Sequence, residues 1–354
     1  MADDTRSNRK ADLLSRPVEH IDITSFDARP IIAAMDKMSF SSRDLARAAD
    51  IYNTMLADED CTVILTLAGS TSAGGCMDAY AKMVELGMVD AIVSTGASIV
   101  DMDFFEGMGF RHYQARELDR DEELREMYID RIYDTYIDEE SLQNVDHTIG
   151  DIADALAAEG RHGPMSSRAF IREMGRWLTK NGKKSNSLVK LAFEHDVPIF
   201  CPAFSDSSAG FGLVRHQVDK LKAGDPYIAI DSVADFRELT DIKIAAGATG
   251  LLMIGGGVPK NFAQDTVVCA EILGHHDVEM HKYAVQITVA DVRDGACSSS
   301  TLKEACSWGK VSTALEQMVF AEATTALPLI ASDAYHRGSW KRREHKRWAR
   351  LFDK

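Results

Sequence analysis

The stretch "CTVILTLAG", Cys61 to Gly69, sets the reading of the fold. Its apolar residues run on without the alternation that a half-solvated strand requires, so it reads as a strand buried on both faces, as in a parallel sheet. The same rhythm recurs in "VDAIVST" (89–95), "VPIFCPAF" (197–204), "PYIAIDS" (226–232), "TGLLMIGGG" (249–257), "YAVQITVA" (283–290) and "TALPLIAS" (325–332). Helical patterns lie between them: "GCMDAYAKMVELG" (75–87), "NSLVKLAFEHD" (186–196), "VADFRELTDIKIAAG" (233–247) and "NFAQDTVVCAEILG" (261–274). Strand and helix in alternation predict an α/β fold, an open and mostly parallel Rossmann-like sheet with helices on both faces.

Around this series the chain divides into three parts. Residues 1–56 read as an N-terminal helical extension, in which "SSRDLARAADIYNTML" follows a Ser cap. Residues 57–332 form the α/β domain, interrupted at about 103–185 by an acidic helical insertion, because the strand series resumes after it. Residues 333–354 are a basic tail, whose "HRGSWKRREHKRWARLFDK" has eight Lys or Arg against two acids. Trp340, Trp348 and Phe352 fall there at multiples of four, which favours a helix packed on the body or on a partner subunit over a nucleic-acid arm.

Bulk composition excludes several classes. The 354 residues carry a net charge of −15, which repels nucleic-acid phosphates and attracts cationic ligands over long range. No apolar run reaches the roughly 18 residues of a membrane span, and the charged start does not resemble an export signal. The six cysteines are scattered with no Cys-x-x-Cys pair, so a redox motif or zinc ribbon is disfavoured and a reducing cytoplasm is the expected setting. "GHHDVEMH" gathers His275, His276, Asp277 and His281, yet matches no familiar ligand spacing, and no metal is expected.

Ligands of an open parallel sheet bind at the carboxyl ends of its strands. Those ends are small-residue loops: "AGSTSAGG" (68–75), "STGAS" (94–98), "FSDSSAG" (204–210) and "IGGGVPKN" (254–261). Small residues let backbone N–H groups approach a phosphate, and the helix that follows adds partial positive charge. Tight strand-to-helix turns explain any one such loop; four in succession argue for a nucleotide or dinucleotide. Asp206 and Asp294, just past strands, suit ribose hydroxyls, a cationic substrate or a helix cap equally well.

"KEACSWGKVS" (303–312) holds the remaining candidate chemistry. Lys310 by itself is an ordinary surface lysine near a helix end. Glu304 and Trp308, four apart, would share a helix face, and an indole beside a carboxylate suits an alkylammonium. A partly desolvated lysine beside them could attack an imine or carbonyl carbon.

These elements together resemble the deoxyhypusine synthase family. "SWGK" at 307–310, "GGGVPKNF" at 255–262, "PIFCPAFSD" at 198–206 and "STGAS" at 94–98 carry the likeness, closest to its bacterial deoxyhypusine-synthase-like branch, over about residues 60–332. The resemblance implies an NAD-dependent transferase that oxidises spermidine or a related polyamine, carries the 4-aminobutyl group as an imine on a lysine, and passes it to an amine acceptor. By position Lys310 is then the covalent amine, and Glu304 and Trp308 line the polyamine channel. The dinucleotide falls to Gly69, Ser70, Thr71, Ser72, Ala73, Thr95, Gly96, Ala97, Asp101, Asp206, Gly256, Asp294, Ser298 and Glu322. The family also implies a homotetramer with sites at dimer interfaces. Three departures stand out: Asn261 replaces a catalytic histidine, and Phe211 and Cys297 replace two aspartates that grip the amine. Losing carboxylates from a polycation channel redirects binding, since each desolvated ammonium needs a partner. A small diamine such as putrescine, giving homospermidine, therefore rivals a protein lysine as acceptor. A binding protein without turnover and an amine dehydrogenase without transfer are the readings from other classes.

Overall fold

The computed structural model describes residues 2–116, 120–296 and 300–353. Its centre is a six-stranded sheet, all parallel, of β1 (Thr62–Leu67), β2 (Ala91–Ser94), β3 (Ile199–Phe200), β4 (Thr249–Ile254), β5 (Tyr283–Thr288) and β6 (Glu316–Phe320). In space the order is β3-β2-β1-β4-β5-β6. Every residue of β1, β2, β4 and β5 is buried, which is why these strands read as unbroken apolar runs. Ile64 pairs with Ala91 on one side and Leu251 on the other, fixing the central register. After β1 the chain moves outward through β2 to β3; after β4 it moves outward the opposite way. The connections leaving β1 and β4 therefore run to opposite sides of the sheet, the point at whose carboxyl edge open α/β sheets bind ligands.

Helices cover both faces. Helix Phe40–Ala57 buries Ala48, Tyr52 and Met55, and the Tyr52 hydroxyl, fully enclosed, donates to the Met88 carbonyl at 3.0 Å. That bond satisfies the polar tip of a large apolar side chain, the condition for burying tyrosine.

Three segments differ from the sequence reading. "TALPLIAS" is not a strand: it lies inside helix Ala323–Arg337, where Ala326, Leu327, Ile330, Ala331 and Ala334 are buried at helical spacing. A short apolar run has no period that separates a buried helix from a buried strand. The sixth strand is instead Glu316–Phe320, whose edge position leaves it half polar. "PYIAIDS" supplies Ile228–Ile230, but to a separate two-stranded sheet with Gly163–Met165. The acidic segment is not wholly helical either, since Tyr113–Gln114, Ile129–Ile132 and Thr135–Asp138 form a small antiparallel sheet before helices Glu139–Ala158 and Ser167–Asn181.

Both chain ends pack on the body. Helix Ala2–Leu13 is tied to the antiparallel sheet by Lys10, 2.6 Å from Asp138 and 2.7 Å from Glu140. The C-terminal segment forms two short 3-10 turns, Ser339–Arg342 and Trp348–Phe352, rather than a continuous helix. The Trp348 indole N–H donates to Thr62 Oγ1 at 3.2 Å, anchoring that segment beside β1.

Candidate active site

The four small-residue loops meet at the carboxyl edge of the sheet. Ser98 Oγ, in the loop after β2, donates to the Gly69 carbonyl after β1 at 2.8 Å. A Cβ on Gly255, after β4, would stand 3.1 Å from the Ala68 methyl, and one on Gly96 would collide with the Ser207 side chain after β3. Glycine at these points is a condition of loop contact. Gly69 and Gly255 also hold φ of +74° and +75°, a region other residues adopt only with strain. The first two loops enter their helices through wide π turns, Ser72–Cys76 and Ala97–Phe104. Such turns are rare and concentrate at functional sites.

Most of the residues assigned to the dinucleotide lie on this edge. Gly69, Ser70, Thr71, Ser72 and Ala73 form the loop after β1; Thr95, Gly96 and Ala97 form the loop after β2; Gly256 caps helix Gly257–Gln264. Ser72 Oγ is buried with no hydrogen-bond partner. Asp101 accepts from the Ser208 backbone N–H at 2.8 Å. Burial raises its carboxyl to about 6 against that hydrogen bond, with the nearby Asp146 and Asp206 charges pushing the same way as burial. Asp206 itself is exposed. Glu322 caps helix Ala323–Arg337, accepting from Thr324 N at 2.9 Å and Thr325 N at 3.0 Å. Thr324 in turn packs 3.1 Å from where a Gly74 Cβ would stand, so the cap adjoins the first loop. Asp294 sits in the turn after Asp291, beyond β5, its N–H donating to the Asp291 carbonyl at 3.2 Å. Ser298 and Cys297 lie outside the described residues. Small residues, an orphaned buried hydroxyl and a half-buried helix N-terminus together fit a dinucleotide.

Lys310 lies at the far end of helix Gly257–Gln264 from the glycine loop. Its side chain is 11% exposed, and its Nζ is 2.5 Å from Asp265 Oδ1. The same nitrogen is 5.4 Å from the centre of the Trp308 ring. Carboxylate and indole face hold one ammonium, the arrangement expected for cation–π attraction added to an ion pair. Backbone bonds fix the lysine's position: the Lys310 carbonyl accepts from His281 N at 3.0 Å, and Lys310 N donates to Ala305 O at 3.1 Å. His281 is therefore structural. Its buried ring bonds Thr249 Oγ1 at 2.9 Å and the Ala263 carbonyl at 3.1 Å, and burial holds it neutral.

Glu304 and Trp308 do not share a helix face as the spacing suggested. The helix is only Leu302–Ser307, and Trp308 is its exposed C-cap. Glu304 closes a capping box, accepting from Thr301 N at 2.5 Å while Thr301 Oγ1 accepts from Glu304 N. Phe211, on helix Ser208–Ala223, is 71% exposed. Asn261 lines a cavity of about 400 Å³ with Phe236, Gly257, Val258, Phe262, Asp265 and Ala296, which runs along the helix from the glycine loop to the partner of Lys310.

Two residues that matter here escaped the sequence reading. Lys260 is fully buried and donates to Gln286 Oε1 at 2.9 Å and to the Ser300 carbonyl, while Gln286 Nε2 bonds the Gly255 carbonyl at 2.9 Å. Burial pulls the Lys260 ammonium down to about 8, the Glu304 charge opposing and the Lys310 charge reinforcing that shift. Lys260 thus links the glycine loop to the neighbourhood of Lys310. Asp265 is the other; its spacing of four from Asn261, one helical turn, was the available signal.

Comparison with known proteins gives the family. A model of the deoxyhypusine synthase family matches residues 30–334. The chain is 70% identical over 344 residues to a deoxyhypusine synthase-like protein of Coxiella burnetii, covering 97% of this chain and 96% of that one. It is 68% identical over 349 residues to a deoxyhypusine synthase-like protein of Caulobacter vibrioides, covering 98% and 94%. The crystal structure of a candidate deoxyhypusine synthase from Entamoeba histolytica shares the fold, with a TM-score of 0.57 at 19% identity over 90% of this chain and 97% of that one. By the extent of these matches, this chain belongs to the deoxyhypusine synthase family.

Proposed function

We propose that the chain is an NAD-dependent transferase that moves a 4-aminobutyl group from spermidine or a related polyamine, through an imine on Lys310, to an amine acceptor. The observation that carries this is the sheltered Lys310, held by Trp308 and by Asp265, which lines a cavity that reaches the glycine loop. When bound, NAD supplies the oxidant, accepting hydride from the amine-bearing carbon and returning it after transfer. The chain does the rest. The backbone N–H groups of the strand-end loops would hold the pyrophosphate, and Asp101, which accepts from Ser208 N, would serve as an acceptor beside them. Phe236 and Phe262 flank the cavity that takes the methylene chain, while Asp265 faces its ammonium end. The net charge of −15 draws the polycation in.

The working unit is a homotetramer on this reading, and cytoplasmic. Phe211, Val214, Val218 and Leu221 are all exposed on helix Ser208–Ala223, at spacings of three, four and three. That is the seam of a helix paired with another helix, left bare by a single chain. Covering it would bring Phe211 against a neighbouring subunit, where it would line a shared channel with Trp308.

Trapping tests the chemistry. The protein is incubated with NAD and spermidine, reduced with borohydride, and analysed for mass added at Lys310. An adduct supports transfer. NADH without an adduct supports an amine dehydrogenase, and neither supports a binding role. Adding putrescine, or a protein bearing an acceptor lysine, then identifies the acceptor.

A further inference from the structure

A lysine attacks carbon only through a free amine, so the proton on Nζ needs a destination. Among the described residues, the polar groups around Lys310 are few. Asn261 carries no proton to exchange at neutral pH. The Lys260 ammonium is committed to Gln286 and Ser300, and the Glu304 carboxylate to the Thr301 cap. Asp265 alone among these touches Nζ, at 2.5 Å, and its side chain remains 38% exposed on the cavity it lines. It faces the attacking nitrogen on one side and the space for the substrate nitrogen on the other.

We propose that Asp265 is the proton carrier for Lys310. The inference rests on the aminobutyl-transfer reading and names the acid–base residue of that step. The Lys310 ammonium gives a proton to Asp265, and its lone pair then bonds to the carbon of the oxidised donor, a protonated imine formed by hydride loss to the dinucleotide. After attack, Asp265 passes this first proton to the departing nitrogen and then takes a second from Nζ. The Nζ lone pair expels the amine as its bond to the carbon breaks, and the freed amine takes the second proton from Asp265 and leaves as an ammonium. Lys310 ends as a protonated imine and Asp265 as a carboxylate, so atoms and charge balance. Filling the cavity with substrate removes water from the ion pair, which makes the neutral pair competitive and the proton easier to move.

Asp265→Asn separates this from a structural role because its two effects have opposite sign. Without the carboxylate, Lys310 loses its counter-ion, and labelling by trinitrobenzenesulfonate at pH 8, read at the Lys310 peptide, should quicken roughly tenfold. The borohydride-trapped adduct from NAD and spermidine should form more slowly by roughly 10²-fold, the usual yield of a positioned acid–base group. Asp265→Glu should recover part of the adduct rate, and thermal unfolding checks that each variant is folded. Unchanged labelling, slower labelling together with slower adduct formation, or an undiminished adduct would each overturn the proposal. If the wild-type chain itself gives no adduct, the transfer reading fails and the proton role with it, whereas the labelling arm still reports whether the pair exists.

Discussion

The guanidinium of Arg343 lies 2.6 Å from the Asp90 carboxylate, and both side chains are 1% exposed. The pair joins the C-terminal segment to the turn before β2. Arg343 also donates to the carbonyls of Met55, Asp58, Cys61 and Gly87, and Asp90 accepts from Val63 N at 2.8 Å. The basic segment, whose aromatic spacing favours packing on the body, is thus consumed in holding β1 and β2 to helix Phe40–Ala57. Arg343→Met should cost about 3–5 kcal/mol in urea unfolding, since it leaves Asp90 buried without its counter-ion. The double variant with Asp90→Asn should lose less than the two single losses summed. A single loss below about 1 kcal/mol would mean that the segment is not docked in solution.

The exposed seam of helix Ser208–Ala223 predicts association. Val218→Asp places a charge at the middle of the stripe formed by Phe211, Val214, Val218 and Leu221, where it would be desolvated in a subunit contact. Sedimentation should show the wild-type chain as an oligomer and the variant shifted to smaller species, with unchanged secondary structure. A wild-type monomer at micromolar concentration would remove the basis for a shared channel.

How far the sequence speaks is plain from these elements. β1, β2, β4 and β5 were legible because strands covered on both faces are apolar throughout, and that condition leaves a direct mark on composition. β6 left no such mark at the edge of the sheet, and helix Ala323–Arg337 imitated a strand because it is buried nearly all round from Ala326 to Ala334, so its apolar residues run on without a visible period. At the site, the glycine loops were visible through their small residues. Lys260 and Asp265 were not, because one lysine and one aspartate look like any others until folding buries the first and sets the second against Lys310. The family likeness pointed to Lys310; only the fold supplies its partner.

Asp101 gives a pH test. Its carboxyl, raised by burial to about 6, is protonated more readily in the folded chain than in the unfolded one, where the value is 3.8. Between those values the native state binds more protons, so this group's contribution to stability is present below pH 3.8 and is lost as pH rises through 6. Asp101→Asn, which cannot ionise, should gain melting temperature relative to wild type as pH goes from 4 to 7. NAD titrations should report the same group: if Asp101 accepts from the ligand as a carboxylate, wild-type affinity rises through pH 6 and that of Asp101→Asn stays flat. A constant difference in melting temperature across the range would show that Asp101 is not buried as described.

Lys260 carries the opposite sign. Its folded value of about 8 lies below the 10.5 of an unfolded lysine, so below pH 8 the fold holds a charged ammonium at a cost. Stability from this group is recovered as pH rises from 8 to 10.5, by about 3 kcal/mol in all. Lys243, buried and also near 8, titrates over the same window, so the comparison must be between variants. Lys260→Met removes the charging cost but strands Gln286 Oε1 and the Ser300 carbonyl without a donor, a loss of about 1–3 kcal/mol for each. The two effects offset at pH 7, where the variant should melt close to wild type, and only the loss remains at pH 10, where it should be clearly weaker. Because Gln286 also bonds the Gly255 carbonyl, releasing it loosens the glycine loop, and NAD affinity should fall several-fold at pH 7 although stability there is hardly changed. Equal stability deficits at pH 7 and pH 10 would place Lys260 in contact with water and break the link between the glycine loop and the reactive lysine.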